Sequence, residues 1–122
     1  MAKILFVEDD EIVRYALCKY LRRAGHEIIE AQDGAVALKL AADERFDIVI
    51  TDIIMPTVEG VELIMRLNQS HPQLPIIAIS AGGRVGRGEY LSVAADLGAS
   101  ATMAKPVDEE ELLRLIGTLT AG

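Results

Sequence analysis

The chain has a single cysteine, Cys18, so it cannot close an intrachain disulfide and reads as a protein of a reducing compartment. Aromatic residues make up only 4%, which leaves Ile, Leu, Val and Ala to build the core. Positive charge is scarce: 12 Lys and Arg stand against 19 Asp and Glu, a formal net charge of −7. A surface of that sign repels phosphate backbones and disfavours direct nucleic-acid binding. No apolar run approaches the roughly 20 residues that span a bilayer. The N-terminal apolar run is too short for a signal peptide, and Glu8-Asp9-Asp10 follows it at once. Repeats, low-complexity tracts and linkers are missing too. With 51% hydrophobic and 25% charged residues, the expectation is one soluble, cytoplasmic domain over residues 1–122, without membrane contact.

What is present is an alternation of two periods. Short β-branched apolar runs give strand candidates at 3–7, 27–31, 47–51, 75–80 and 100–104. Between them lie helix candidates at 10–24, 34–43, 59–69, 89–97 and 108–119. The first helix shows an apolar row at i, i+4 spacing, Ile12, Ala16, Tyr20 and Ala24, the expected inward stripe. Lys19, Arg22 and Arg23 suit its C-terminal dipole, and Gly25 stands where a C′ glycine ends a helix. The last helix opens with Asp108-Glu109-Glu110-Glu111 and is expected to bury Leu112, Leu115, Ile116 and Leu119. Five strand–helix units with short connections predict an α/β fold, a parallel sheet covered on both faces.

In open parallel sheets ligands bind beyond the C-terminal ends of the strands, so polar residues at those ends are the candidates for chemistry. Asp52 ends the run Asp47-Ile-Val-Ile-Thr-Asp52 and opens the loop toward Pro56. A turn residue before a proline is the competing reading. Glu8-Asp9-Asp10 ends Ile4-Leu5-Phe6-Val7. Asp10 and Glu11 fall where an N-cap and a first helical turn belong, and capping explains acids there. Glu8 and Asp9 precede the helix, at the strand tip. A hard cation such as Mg²⁺ takes one or two carboxylates together with waters and substrate oxygens, which this pair and Asp52 could supply. Ser80 ends a fourth strand and Lys105 a fifth. Singly they read as a turn hydroxyl and a solvated charge. Together, acids for a metal, a carboxylate to attack, and a hydroxyl and an ammonium for phosphoryl oxygens make a complete phosphoryl-transfer set.

These residues carry a family resemblance over nearly the whole length. The chain resembles a response-regulator receiver domain of two-component signalling, a member of the CheY-like superfamily. The matching pieces are Lys3 to Asp10, Asp47 to Pro56, Glu59-Gly60, Ser80-Ala81, Gly98-Ala99 and Lys105-Pro106. The resemblance implies a flavodoxin-like (βα)5 three-layer sandwich with strand order 2-1-3-4-5. It implies a phosphoacceptor that takes a phosphoryl group from phosphohistidine onto Asp52, with Glu8 and Asp9 as the acidic pair. Asp9, Asp52 and the backbone carbonyl of Ile54 would ligate Mg²⁺ or another divalent cation, while Ser80 and Lys105 would contact the phosphoryl group. The bond before Pro106 is expected to be cis. Such a domain is a signalling module that catalyses its own phosphorylation and slow dephosphorylation. Its partners would be a sensor histidine kinase or histidine phosphotransfer domain. A downstream protein target would dock on the face formed by the fourth helix, fifth strand and fifth helix. With no output domain in the chain, signal is expected to leave through that partner, unless the segment belongs to a larger protein.

Three positions depart from the family pattern. Thr102 stands where Tyr or Phe is usual, Val107 where Phe is common, and the glycine-rich stretch 81–88 is about three residues longer than the family usually shows. That stretch fits neither phosphate-loop pattern, Gly-x-x-x-x-Gly-Lys-Ser nor Gly-x-Gly-x-x-Gly. The expectation is a switch without ring-flip coupling, carried by this segment. Two other classes compete. A haloacid-dehalogenase-type phosphatase would need a second Asp two residues after the nucleophile, where Ile54 stands, and a cap domain too large for this chain. A module that keeps only the fold would have no use for the full acid, hydroxyl and lysine set.

Overall fold

The computed structural model describes residues 1–53, 60–80 and 94–121. Its strands are β1 (Lys3–Val7), β2 (Glu27–Ala31), β3 (Ile48–Asp52), β4 (Ile76–Ser80) and β5 (Ala101–Ala104). They form one sheet in the order β2-β1-β3-β4-β5, every neighbouring pair parallel. Between them run α1 (Glu11–Arg23), α2 (Gly34–Asp43), α3 (Gly60–Ser70), helical residues 94–96 (α4) and α5 (Glu109–Thr120). The expected doubly covered parallel sheet with order 2-1-3-4-5 is what forms. β3 reaches Asp52, one residue beyond the predicted strand, because Asp52 still pairs with Ile79. Residues 89–93 of the fourth predicted helix lie outside the described residues.

Every residue of the central strands β3 and β4 is buried, which accounts for their unbroken apolar runs. Alternate side chains then feed two cores. Leu5, Val7 and Val49 meet Ala37 and Ala41 of α2 and Leu63, Ile64 and Leu67 of α3. Ile4, Phe6, Ile48, Ile50 and Ile77 meet Leu17, Cys18 and Leu21 of α1 and Leu112 and Ile116 of α5. The result is a three-layer sandwich in which, among the described residues, Phe6 is the one fully buried aromatic, at 1% exposed.

The expected inward stripe of α1 is corrected by the structure. Ile12 is 81% exposed and Ala16 and Ala24 also face out, while Tyr20 of that row packs half-buried on the core; Leu17, Cys18 and Leu21 are buried with Val13 beside them. A row at i+4 spacing drifts around a 3.6-residue helix, and here the neighbouring row Val13-Leu17-Leu21 offers more apolar surface than two alanines. In α5 Leu112 and Ile116 are fully buried, and Leu115 and Leu119 pack half-buried on the same cluster. Gly25 follows the end of α1 with φ +101°, the left-handed conformation expected of it. Among the described residues no helix is long and apolar enough to cross a membrane.

Candidate functional site

Because all five strands run the same way, their C-terminal tips share one edge of the sheet. Glu8 and Asp9 follow β1, Asp52 ends β3, Ser80 ends β4 and Lys105 follows β5. Glu8, Asp52 and Ser80 are buried polar residues, while Asp9 is exposed. The Lys105 Nζ donates to Glu8 Oε1 at 2.6 Å and to Asp52 Oδ2 at 2.8 Å, joining positions 97 and 53 residues away. Carboxylate oxygens of Glu8, Asp9 and Asp52 lie within 4.8 Å of one another. The sheet places Ser80 beside this group, since Asp52 pairs with Ile79 and the Lys105 N–H donates to the Ser80 carbonyl at 3.0 Å. The Lys105–Pro106 bond is cis. Ile54 and the 81–88 segment lie outside the described residues.

Asp10 belongs to the helix rather than to this cluster. Its carboxylate accepts from the Ile12 and Val13 N–H groups and caps α1, as the capping reading requires. Gly60 packs against the backbone of the strand tip that carries Asp52. A Cβ there would fall 2.2 Å from the Asp52 carbonyl oxygen and 2.4 Å from the Ile53 Cα, so only glycine lets α3 begin this close to the strand tip. The Gly60 N–H donates to the Ile53 carbonyl at 2.8 Å across that contact.

The charges are unbalanced. Burial, with the nearby Asp52 carboxylate adding to it, pushes the Glu8 carboxyl up to about 7 against the pull of Lys105. Burial pulls the Lys105 ammonium the other way, but its hydrogen bonds to Asp52 and Glu8 prevail and hold it above the ordinary lysine range. Among the described residues, three carboxyl groups stand with one ammonium at a partly buried edge. A hard divalent cation relieves that surplus, and an all-oxygen donor set suits it.

A profile of the response regulator receiver domain matches residues 4–117 of the chain. Protein PilH of Pseudomonas aeruginosa is 32% identical over 133 residues, covering 100% of both chains. Response regulator protein FleR of the same organism is 35% identical over 121 residues, 99% of this chain but 25% of FleR. The chain therefore spans a quarter of one relative and the whole of another. A putative response regulator from Chloroflexus aurantiacus has the same fold, with TM-score 0.91 at 29% identity over 99% of this chain and 98% of that one. This chain belongs to the response regulator receiver family.

In this receiver domain of two-component signalling, two of the three departures from the family pattern, Thr102 and Val107, lie among the described residues. Thr102 is half-buried on β5 opposite Ala78, and Val107 packs on the core cluster of α1 and α5. Val107 thus keeps an apolar contact with less volume. The site also contains residues that the sequence reading passed over. The Arg14 Nη1 donates to the Glu8 backbone carbonyl at 2.6 Å, and its Nε to the Glu30 carboxylate at 3.1 Å. A signal was available: Glu30 interrupts an apolar strand with a charge, and Arg14 sits one helical turn beyond Asp10.

Proposed function

We propose that Asp52 is the phosphoryl acceptor of this receiver domain, which residues 1–122 form as a single unit. The observation that carries it is the Lys105 ammonium held between the buried Asp52 and Glu8 carboxylates at the strand tips. An Asp52 carboxylate oxygen attacks the phosphorus of a phosphohistidine in line. The new O–P bond forms as the N–P bond breaks, and the departing imidazole takes up a proton. Lys105 exchanges its contacts with carboxylates for the phosphoryl oxygens, and its charge is present throughout because both neighbours hold the proton on it. Ser80, buried at the end of the adjacent strand, donates its hydroxyl to the same group. Glu8, Asp9 and Asp52 would hold Mg²⁺ or a similar cation, which when bound offsets charge on the transferring phosphoryl oxygens. Water later attacks the acyl phosphate and restores Asp52, so the domain catalyses both its own phosphorylation and its slow reset.

Phosphorylation is a local charge event read out through a two-state element. The donor is a sensor histidine kinase or a histidine phosphotransfer domain. The output is a protein docked on the face of α4, β5 and α5, reached without an aromatic ring at position 102. A cytoplasmic setting is consistent with the free, buried Cys18, whose thiol burial pushes up to about 12 and leaves unreactive. The test is incubation with acetyl phosphate and Mg²⁺, followed by mass spectrometry. One phosphoryl group, labile to hydroxylamine, is expected on the unaltered chain and none on Asp52→Asn. Stoichiometric labelling of that variant would place the acceptor elsewhere.

A further inference from the structure

We propose that Arg14 is a positioning residue for the acidic pair, aimed by Glu30. The proposal rests on the reading of Glu8 and Asp9 as cation-holding residues. Side chains on a helix lean toward its N-terminus, so Arg14, one turn into α1, lies back over the turn that joins β1 to the helix. Its Nη1 donates to the Glu8 carbonyl at 2.6 Å, and only 15% of its side chain is exposed. The Glu8 N–H is in turn taken by the Ala31 carbonyl at the tip of β2, at 3.1 Å. Both backbone polar groups of Glu8 are therefore held from outside its own strand. Glu8 Oε2 accepts the Asp10 N–H at 3.2 Å, and Oε1 takes Lys105. Of the two restraints on the Glu8 backbone the Arg14 bond is the one made by a side chain, a long one that would sweep many rotamers if nothing fixed it.

Glu30 fixes it. This β2 carboxylate receives the Arg14 Nε on one oxygen and Arg22 Nη2 on the other, each at 3.1 Å. Arg22 Nη2 is anchored in addition on the Ile28 carbonyl at 3.0 Å. The chain of contacts runs Arg22, Glu30, Arg14, Glu8 carbonyl, and ends where Asp9 begins. A planar guanidinium presents its Nε and Nη1 donors in fixed directions, here one to the Glu30 carboxylate and one to the Glu8 carbonyl, whereas a lysine offers a single ammonium nitrogen on a flexible stem.

Electrostatics and positioning predict opposite signs. If Arg14 were merely a neighbouring positive charge, its removal would tighten Mg²⁺ binding, and Lys would replace it without effect. If it merely supported the fold, its loss would lower thermal stability in chelator and leave cation affinity alone. A positioning role predicts weaker Mg²⁺ binding in Arg14→Met and in Arg14→Lys alike, by about tenfold, the low end for residues that orient metal ligands. Glu30→Gln, at a side chain that is 35% exposed and safe for folding, should weaken binding less but in the same direction. Mg²⁺ titrations by calorimetry or NMR on the full chain, beside melts in EDTA, read all three variants. Unchanged or tighter binding in Arg14→Lys and Glu30→Gln, with the unaltered chain binding normally, overturns the positioning role alone. No Mg²⁺ binding by the unaltered chain overturns it together with the reading of the acidic pair.

Discussion

At the scale of single residues, Glu8 is the most informative. Its side chain serves Lys105 and the Asp10 N–H, its carbonyl serves Arg14, and burial keeps it protonated up to about 7. The unfolded chain releases that proton in the ordinary carboxylate range, near 4.5. Between the two values the folded state binds more protons, so this group's contribution to stability is complete at low pH and is lost as pH rises toward 7. With chelator present, denaturant unfolding across that window should show the unaltered chain losing stability relative to Glu8→Gln. Parallel curves for the two proteins would remove Glu8 as the cause. Lys105→Met should be more severe, because it leaves the buried Glu8 and Asp52 carboxylates without their ammonium. We expect a loss of about 3 kcal/mol in chelator, together with sharply slowed labelling by acetyl phosphate.

At the scale of elements, the two ends of α1 and α3 have different duties. The N-terminus of α1 is capped by Asp10 and carries Arg14, while its middle anchors the sheet through Leu17 and Leu21. Leu21→Ala should cost about 2–5 kcal/mol as a core cavity. Ile12→Ala, at an exposed position, should stay within about 0.5 kcal/mol. Urea titrations of both variants test which row faces the core, and a larger loss from Ile12→Ala would restore the stripe read from sequence. The start of α3 is governed by close approach. Gly60→Ala pushes a methyl into the Asp52 carbonyl and the Ile53 Cα, both backbone atoms with little room to retreat. A loss of about 2–3 kcal/mol is expected from such overpacking, and labelling at Asp52 should slow because the strand tip moves.

At the scale of the whole molecule, one edge of the sheet concentrates negative charge within a chain that is already at −7. A cation that binds only the folded state stabilises it by linkage, about 1.4 kcal/mol at tenfold its Kd. Mg²⁺ should therefore raise the melting temperature of the unaltered chain. Asp9→Asn should blunt that response and, in EDTA, raise stability by no more than about 1 kcal/mol through relief of like-charge repulsion. Melts of both proteins with Mg²⁺ and with EDTA make the comparison, and an undiminished Mg²⁺ response in the variant would remove Asp9 from the site.

The sequence by itself determined the order of strands and helices, their bounds to within a residue or two in most cases, and the class of fold. Those features rest on local period and on β-branched runs, which any short window of sequence exposes. It also picked out Glu8, Asp9, Asp52, Ser80 and Lys105, because parallel strands bring their C-terminal ends to one edge and so convert position along each run into proximity. Only the tertiary structure decided what touches what. Lys105 choosing both Glu8 and Asp52, the inward turn of Leu17 and Leu21 over Ile12 and Ala16, the need for glycine at 60, and the brace from Arg22 through Glu30 and Arg14 all depend on distances between segments far apart in the chain. Such distances are set by how the helices settle on the sheet, where total buried apolar area outweighs the spacing of any one row.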